Sequence, residues 1–385
     1  MPHPQGGPPA HPVPAADTEA APGAVRRTAS GAAGPPAGAG LRPPARPVLR
    51  AAAALAAALL ALSLLSLLTG SNTIPMSRSW DFLTGDPSAR ADAHVRLAVM
   101  DVRLPRTLAG ILVGAALGAA GCLLQAVTRN PLAETGLLGV NSGAALGVVV
   151  GLTYFGTDSA YGILLWALAG GVLASGVVLL LAASGRAAAS PLRLVLAGSA
   201  LGATFHGMTS YVLLGTQSTF DDYRYWTIGS LANVETSTAL ALAPLVVAGL
   251  AIAFGAVRPL SALALGDDAA RALGHHPARI RLVVAVAVTL LAGAAVAMAG
   301  PIAFLGLLAP YAARVVTGPR MAPQLLLSAL VAADVMIAAD ILARIVIRPW
   351  ETPVSVLLAL VGGPLLIWIA RSRGMLSLGA PGARS

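Results

Sequence analysis

The chain has 385 residues, of which 56% are hydrophobic and 11% charged, with a mean hydropathy of +0.78. A soluble globular domain carries about a quarter charged residues, so this composition excludes one. The formal charge is +9 and all 25 basic residues are Arg: on a membrane protein such charge orients helices more often than it binds nucleic acid, and without Lys no P-loop can be built, so any ATP used is hydrolysed by another polypeptide.

Residues 1–47 contain 12 Pro and 7 Gly. They cannot bury enough apolar surface to offset the entropy of ordering, and are expected to form a disordered cytoplasmic tail. Arg26-Arg27 lies too far from the next apolar run for a twin-arginine export signal. The run from Val48 to Leu68 is long enough to cross a bilayer, and LTGSNTIP after it offers no small-residue cleavage site, so it is taken as a spanning helix. Nine further apolar stretches follow at about 104–127, 134–155, 161–184, 191–214, 237–257, 281–299, 302–317, 323–346 and 354–371. The eighth of the ten is short and interrupted by Pro301 and Pro310, which predicts a bent or partly re-entrant segment. With the N-terminus inside, the tail, the even-to-odd loops and the C-terminus collect 17 of the 25 Arg, so both termini are expected in the cytoplasm. This defines a transmembrane domain over residues 48–373, with its largest cytoplasmic loop expected at 258–280 and a short cytoplasmic tail at 374–385.

Glycines recur every fourth position in two neighbouring spans joined by NPLAETGLLG. Gly110, Gly114 and Gly118 share one helix face, and Gly139, Gly143, Gly147 and Gly151 another, because residues four apart nearly eclipse. In lipid, close approach at such small residues is a main source of helix association. GAALGAAG at Gly114–Gly121 matches GAAVAMAG at Gly293–Gly300 in five of eight positions. Ten alternating spans place the copies in opposite orientations, the pattern of inverted-repeat transporters. Cys122 is alone and reads as a core thiol.

No catalytic set appears, and neither His94 nor His206 has a partner at metal-ligand spacing, so neither metal nor cofactor is expected. In the large loop, LGDDAARALG reads as a short helix. Asp267 or Asp268 could accept from first-turn amides, Ala269, Ala270 and Ala272 keep one side thin, Asp267 and Arg271 are spaced as an i,i+4 pair, and Gly274 suits a left-handed stop. Two readings stand: a solvated surface helix, or a coupling helix whose small side docks on a partner subunit. Asp340 and Arg344 can pair on one helix face. Arg103 and Arg106 flank Leu-Pro at the start of the second span, where snorkelling to headgroups is the simplest role. Pro131 suits a first helical position, Glu134 complements a helix N-terminus, and Trp80, Trp226 and Trp350 fall near span boundaries.

RLPRTLAGILVGAALGAAGCLLQAVTRNPLAETGLLGVNSGAALG from Arg103, the loop above, GPIAFLGLLAPYAARVV from Gly300, and ADILAR followed by ETPVSVLLALVGGPLLIWI resemble the permeases of ABC importers for iron chelates, haem and cobalamin. The resemblance covers about Val48 to Arg373. It implies a ten-helix, type II importer permease in two inverted halves in the bacterial cytoplasmic membrane. Such a permease dimerises, as a copy or a paralogue, around a central path, receives cargo from an extracytoplasmic binding protein, and is driven by two ATPase subunits. By the same resemblance Asp267, Asp268, Ala269, Ala270, Arg271, Leu273 and Gly274 form the ATPase-coupling loop, its Asp-Ala-Ala then Gly resembling the Glu-Ala-Ala and Gly signature of importer permeases. Arg103 and Arg106 become candidate contacts for acidic residues of the binding protein. The implied cargo is a metal chelate, a ferric siderophore first and haem or cobalamin as alternatives. Two departures stand out: Tyr311 occupies a position where relatives commonly have His, and Asp334 one where they carry a small residue. An ionisable group at that depth is a functional candidate, and it keeps open a second class, a secondary transporter coupled to protons through Asp334 or Asp340.

Overall fold

The computed structural model describes residues 45–71, 74–157, 159–183 and 191–371. The proposed tails therefore lie outside the described residues, apart from the last few positions of the first. The described chain is helical. Ten apolar helices fall on the ten expected stretches: α1 Ala45–Leu68, α5 Leu104–Thr128, α6 Val140–Tyr154, α7 Ala160–Ala183, α8 Pro191–Gly215, α10 Thr236–Gly255, α13 Pro277–Ala299, α14 Leu305–Thr317, α15 Met321–Ile345 and α16 Val354–Arg371. Between them lie α2 Met76–Thr84, α3 Pro87–Ala91, α4 Ala93–Arg96, α9 Gln217–Thr227, α11 Val257–Ala264 and α12 Asp267–Ala272. These short helices were not anticipated, apart from α12.

Local chemistry accounts for the irregular ends. Asp86 accepts from the amides of Ser88 and Ala89 with Pro87 next to it, and Asp92 accepts from His94 and Val95, so two aspartate caps start α3 and α4. The chain then runs helically from Ala93 to Thr128 through a π turn at Leu97–Arg103. Pro131 lies in a turn closed by Asn130, whose Oδ1 accepts from Leu132 N at 2.9 Å, and not at a first helical position. The short eighth span is α14: its 13 residues reach only about 20 Å. The backbone from Gly300 to Phe304 before it is non-helical, and Phe304 has φ +67°.

Packing follows the glycines. A Cβ on Gly114 would sit 2.5 Å from Ala333 Cα of α15, one on Gly118 would meet Ser328 O, and one on Gly121 would meet Gly306 O of α14. On α6 the same holds for Gly143 and Gly147 against the backbone and Ala174 of α7, and for Gly151 against the Trp166 ring. Each bare face thus receives its own partner helix. The helices α5 and α13 form the centre: 78% of the apolar stretch of each is buried, against 6% for α1.

The contacts also reveal a repeat. Matching α5, α6, α7 and α8 with α13, α14, α15 and α16, the pairs α5–α15, α6–α7, α5–α14, α6–α8 and α7–α8 have counterparts α13–α7, α14–α15, α13–α6, α14–α16 and α15–α16, all in contact; the first helices of the two halves differ, α1 packing mainly on α15 and α10 on α13 and α5. Five spans is an odd number, so the second half enters the membrane from the opposite face. The Gly114–Gly121 and Gly293–Gly300 segments occupy the corresponding central helices α5 and α13.

Candidate functional site

Two polar clusters occupy opposite ends of α5, about 35 Å apart from Arg106 to Arg129 at the helical rise, and one carboxylate lies between those levels on α15.

The first cluster holds α12. Gly266, not an aspartate, occupies its N-cap position and no side chain caps it. Asp267 instead reaches outward: Arg281 NH2, near the start of α13, meets both of its oxygens at 2.8 and 2.9 Å, and Arg129 NH2, at the end of α5, lies 3.1 Å from Oδ1. Arg129 also donates to Leu263 O at 2.5 Å, a carbonyl at the end of α11 that accepts from Gly266 N as well. The expected Asp267–Arg271 pair is therefore replaced. Arg271 bonds Asp268 at 2.7 Å on the exposed side, because Asp267 is drawn toward two other guanidinia. Burial alone would raise the Asp267 carboxyl, but Arg281 and then Arg129 outweigh it and hold it below the usual range. Gly274 stops the helix with φ +79°, a conformation that favours glycine.

Of the three alanines expected to keep one side of α12 thin, Ala270 alone is covered. Ala270 is 0% exposed and belongs to the core. Asp268, Arg271, Ala272 and Gly274 are exposed, as are Leu265 and Leu273, while Ala269 is intermediate. The outward side thus carries two leucines, Ala272 and an ion pair. Beside this face lies a groove of about 550 Å³ lined by Ile252, Ala256, Pro259, His275, Arg279 and Val283.

The second cluster is buried. Arg106 Nε lies 2.7 Å from Asp340 Oδ1 and its NH1 2.5 Å from Glu351 Oε2, and Arg344 binds the other oxygen of Asp340. Arg344 NH1 donates to Ser66 O and Thr69 O at 3.0 and 3.2 Å, and Arg103 NH1 to Leu67 O, Leu68 O and Ser79 Oγ at 3.1, 3.0 and 2.7 Å. Two guanidinia thus cap the last carbonyls of α1, whose dipole end complements positive charge. Three arginines face two carboxylates and that helix end, which joins α1, α2, α5, α15 and the loop after α15. Arg103 and Arg106 are each 2% exposed. Neither guanidinium snorkels outward: Arg106 is paired with two carboxylates, while Arg103 meets two carbonyls and a hydroxyl. Glu351 lies outside the spans. Burial would raise its carboxyl, yet Arg106 and the Ser71 hydroxyl, 2.7 Å away, bring it below the ordinary range.

Asp334 is 8% exposed and neither carboxylate oxygen has a hydrogen-bond partner among the described residues. Glu134, in the loop after α5, is pushed up by burial and partly restored by the Phe304 amide. Trp80 and Trp350 are exposed, whereas Trp226 is only partly so and packs against the core. Among the described residues no cluster of His, Cys, Asp or Glu could hold a metal ion. Cys122 is a free thiol, fully buried in the core.

The FecCD transport family model matches residues 58–372. The ferric enterobactin transport system permease protein FepD of Escherichia coli (strain K12) is 42% identical over 311 residues, covering 80% of this chain and 91% of that protein. The iron(3+)-hydroxamate import system permease protein FhuB of Bacillus subtilis (strain 168) is 36% identical over 310 residues, covering 80% and 79%. A solved metal-chelate type ABC transporter in an inward-facing conformation superimposes with a TM-score of 0.73 at 27% identity, covering 84% of this chain and all of that one.

Proposed function

This chain belongs to the FecCD transport family and is a multi-pass permease subunit of an ABC importer in the inner membrane, and from that premise we propose that it carries a ferric siderophore inward by alternating access. The observation that carries the cargo is the 42% identity with a ferric enterobactin permease across 91% of that protein's length. A shielded chelate needs a wide, weakly binding passage, which suits a chain with 11% charged residues. Haem or cobalamin would suit the same passage.

In this reading a separate pair of ATPase subunits supplies the energy. Both termini and the α11–α12 stub lie in the cytoplasm, where the exposed face of Leu265, Leu273, Asp268 and Arg271 meets the ATPase. An extracytoplasmic binding protein delivers cargo at the end where Arg103, Arg106, Asp340, Arg344 and Glu351 cluster. A second permease, a copy or a paralogue, completes the path, and the exposed apolar faces of the symmetry-related α8 and α16, with Leu214 89% and Val361 67% exposed, are surfaces it could cover. ATP binding draws the ATPases together, shifts the two stubs and reopens the bundles on the other side.

The buried, unpartnered Asp334 favours one other reading, a proton-coupled secondary transporter. Reconstitution with the ATPase and binding protein separates the two. Uptake of a ferric siderophore that requires ATP and survives Asp334→Asn is the expected result. ATP-independent uptake driven by a proton gradient and abolished by Asp334→Asn would replace it.

A further inference from the structure

The residue after α5 holds a left-handed backbone, with φ +53° and ψ +29°, and it is Arg129. A helix stop of this kind is the usual place for glycine, since a side chain is strained there. Strain of this sort persists where the surroundings impose it, and it clusters at working parts of a protein. What this side chain does is on the page: a single nitrogen of Arg129 holds Leu263 O at the end of α11 and Asp267 Oδ1 at the start of α12, and Arg281 of α13 takes the same carboxylate. The link therefore runs from the joint of the stub to α5 and α13, the two most enclosed helices. Its members are partly exposed, with Arg129 and Asp267 side chains 42% and 30% accessible. Exposed pairs contribute little to stability, so the arrangement is better explained by where it holds things than by how firmly the chain folds.

We propose that Arg129 is a positioning residue that makes the stub and the central helices α5 and α13 move as one, so that a displacement of α12 by the ATPase reaches the transport path. The proposal rests on the reading of α12 as the ATPase contact. A glycine at this position would satisfy the backbone but would leave α12 tied to the central helices only by Arg281 and by the packing of Ala270.

The test uses the full transporter in proteoliposomes, comparing wild type with Arg129→Gly and Arg129→Lys. Four quantities are followed: thermal stability, co-purification of the ATPase, stimulation of ATP hydrolysis by the loaded binding protein, and ferric siderophore uptake. Arg129→Gly is expected to keep or raise thermal stability and to retain the ATPase, while uptake and stimulation fall about tenfold, a usual size for coupling between sites. Arg129→Lys, which restores a cation opposite Asp267, is expected to recover most of the uptake. Should Arg129→Gly not fold, Asp267→Ala breaks the same link from its other side and is expected to lower uptake similarly. Wild-type uptake by Arg129→Gly would overturn the proposal, as would parallel losses of stability and ATPase binding that account for the whole transport defect. Absence of ATP-driven uptake by the wild type would instead overturn the functional reading on which the proposal rests.

Discussion

Asp340 illustrates why charge inside a membrane protein has to be counted with its neighbours. It separates Arg106 from Arg344, and Glu351 supplies the only other carboxylate of the cluster. Asp340→Ala would leave Arg106 with Glu351 alone and Arg344 buried without a carboxylate in contact, and we expect about 3–5 kcal/mol of destabilisation, read as a lower melting temperature in detergent. Asp334 is the opposite case. Its carboxylate has no partner to lose, so Asp334→Asn is expected to leave melting unchanged or raise it by about 1 kcal/mol equivalent. The pH dependence has a definite sign. Asp267 and Glu351 lie below their unfolded values, so the stability they add is full at neutral pH and is lost as pH falls through their folded values, below about 4. Glu134 is raised, so its contribution is full in acid and is lost as pH rises. Glu351→Gln is therefore expected to flatten the acid limb of the melting profile between pH 6 and 3, and an unchanged limb would remove Glu351 from the account.

At the level of elements, the glycine spacing forecasts a gradient along α5. Gly110 has Ile337 Cγ1 at 3.4 Å from where a Cβ would sit, an ordinary contact, whereas Gly121 faces the Gly306 carbonyl with no room at all. Gly110→Ala is expected to be nearly neutral, and Gly121→Ala to cost roughly 3 kcal/mol or prevent assembly of α5 with α14, checked by melting of the two variants side by side. The ten apolar helices were legible because each carries a long hydrophobic run, and lipid imposes helix on such runs. The small helices were signalled more weakly: GDPSARADAH contains both aspartate caps of α3 and α4, but a few polar residues make no hydrophobic period. The partners of Asp267 and Arg106 were not legible. Arg271 is the nearest basic residue along the chain to Asp267, yet Arg129, 138 positions away, is nearer in space, and Arg106 meets Asp340 across 234 positions. Ala270 was misplaced for a related reason: spacing shows which residues share a side of a six-residue helix, but only the packing of α11 and α13 decides which side is covered.

Across the whole molecule, the two five-helix halves are related by exchange of α5 with α13 and α7 with α15, and the two polar clusters lie at opposite ends of the central helix α5. In the proposed reading the chain is a gate moved from outside itself: its buried charges brace helix ends, and its stub exposes Leu265, Leu273 and an ion pair. The most direct test of that account is the side of the membrane on which the stub lies. Cys122 is fully buried, so Leu273→Cys, at a position 61% exposed, introduces a single accessible thiol for a membrane-impermeant maleimide. The account predicts labelling in inside-out vesicles, none in right-side-out vesicles, and protection when the ATPase is bound. Labelling from the outer face, or undiminished labelling with the ATPase in place, would contradict it.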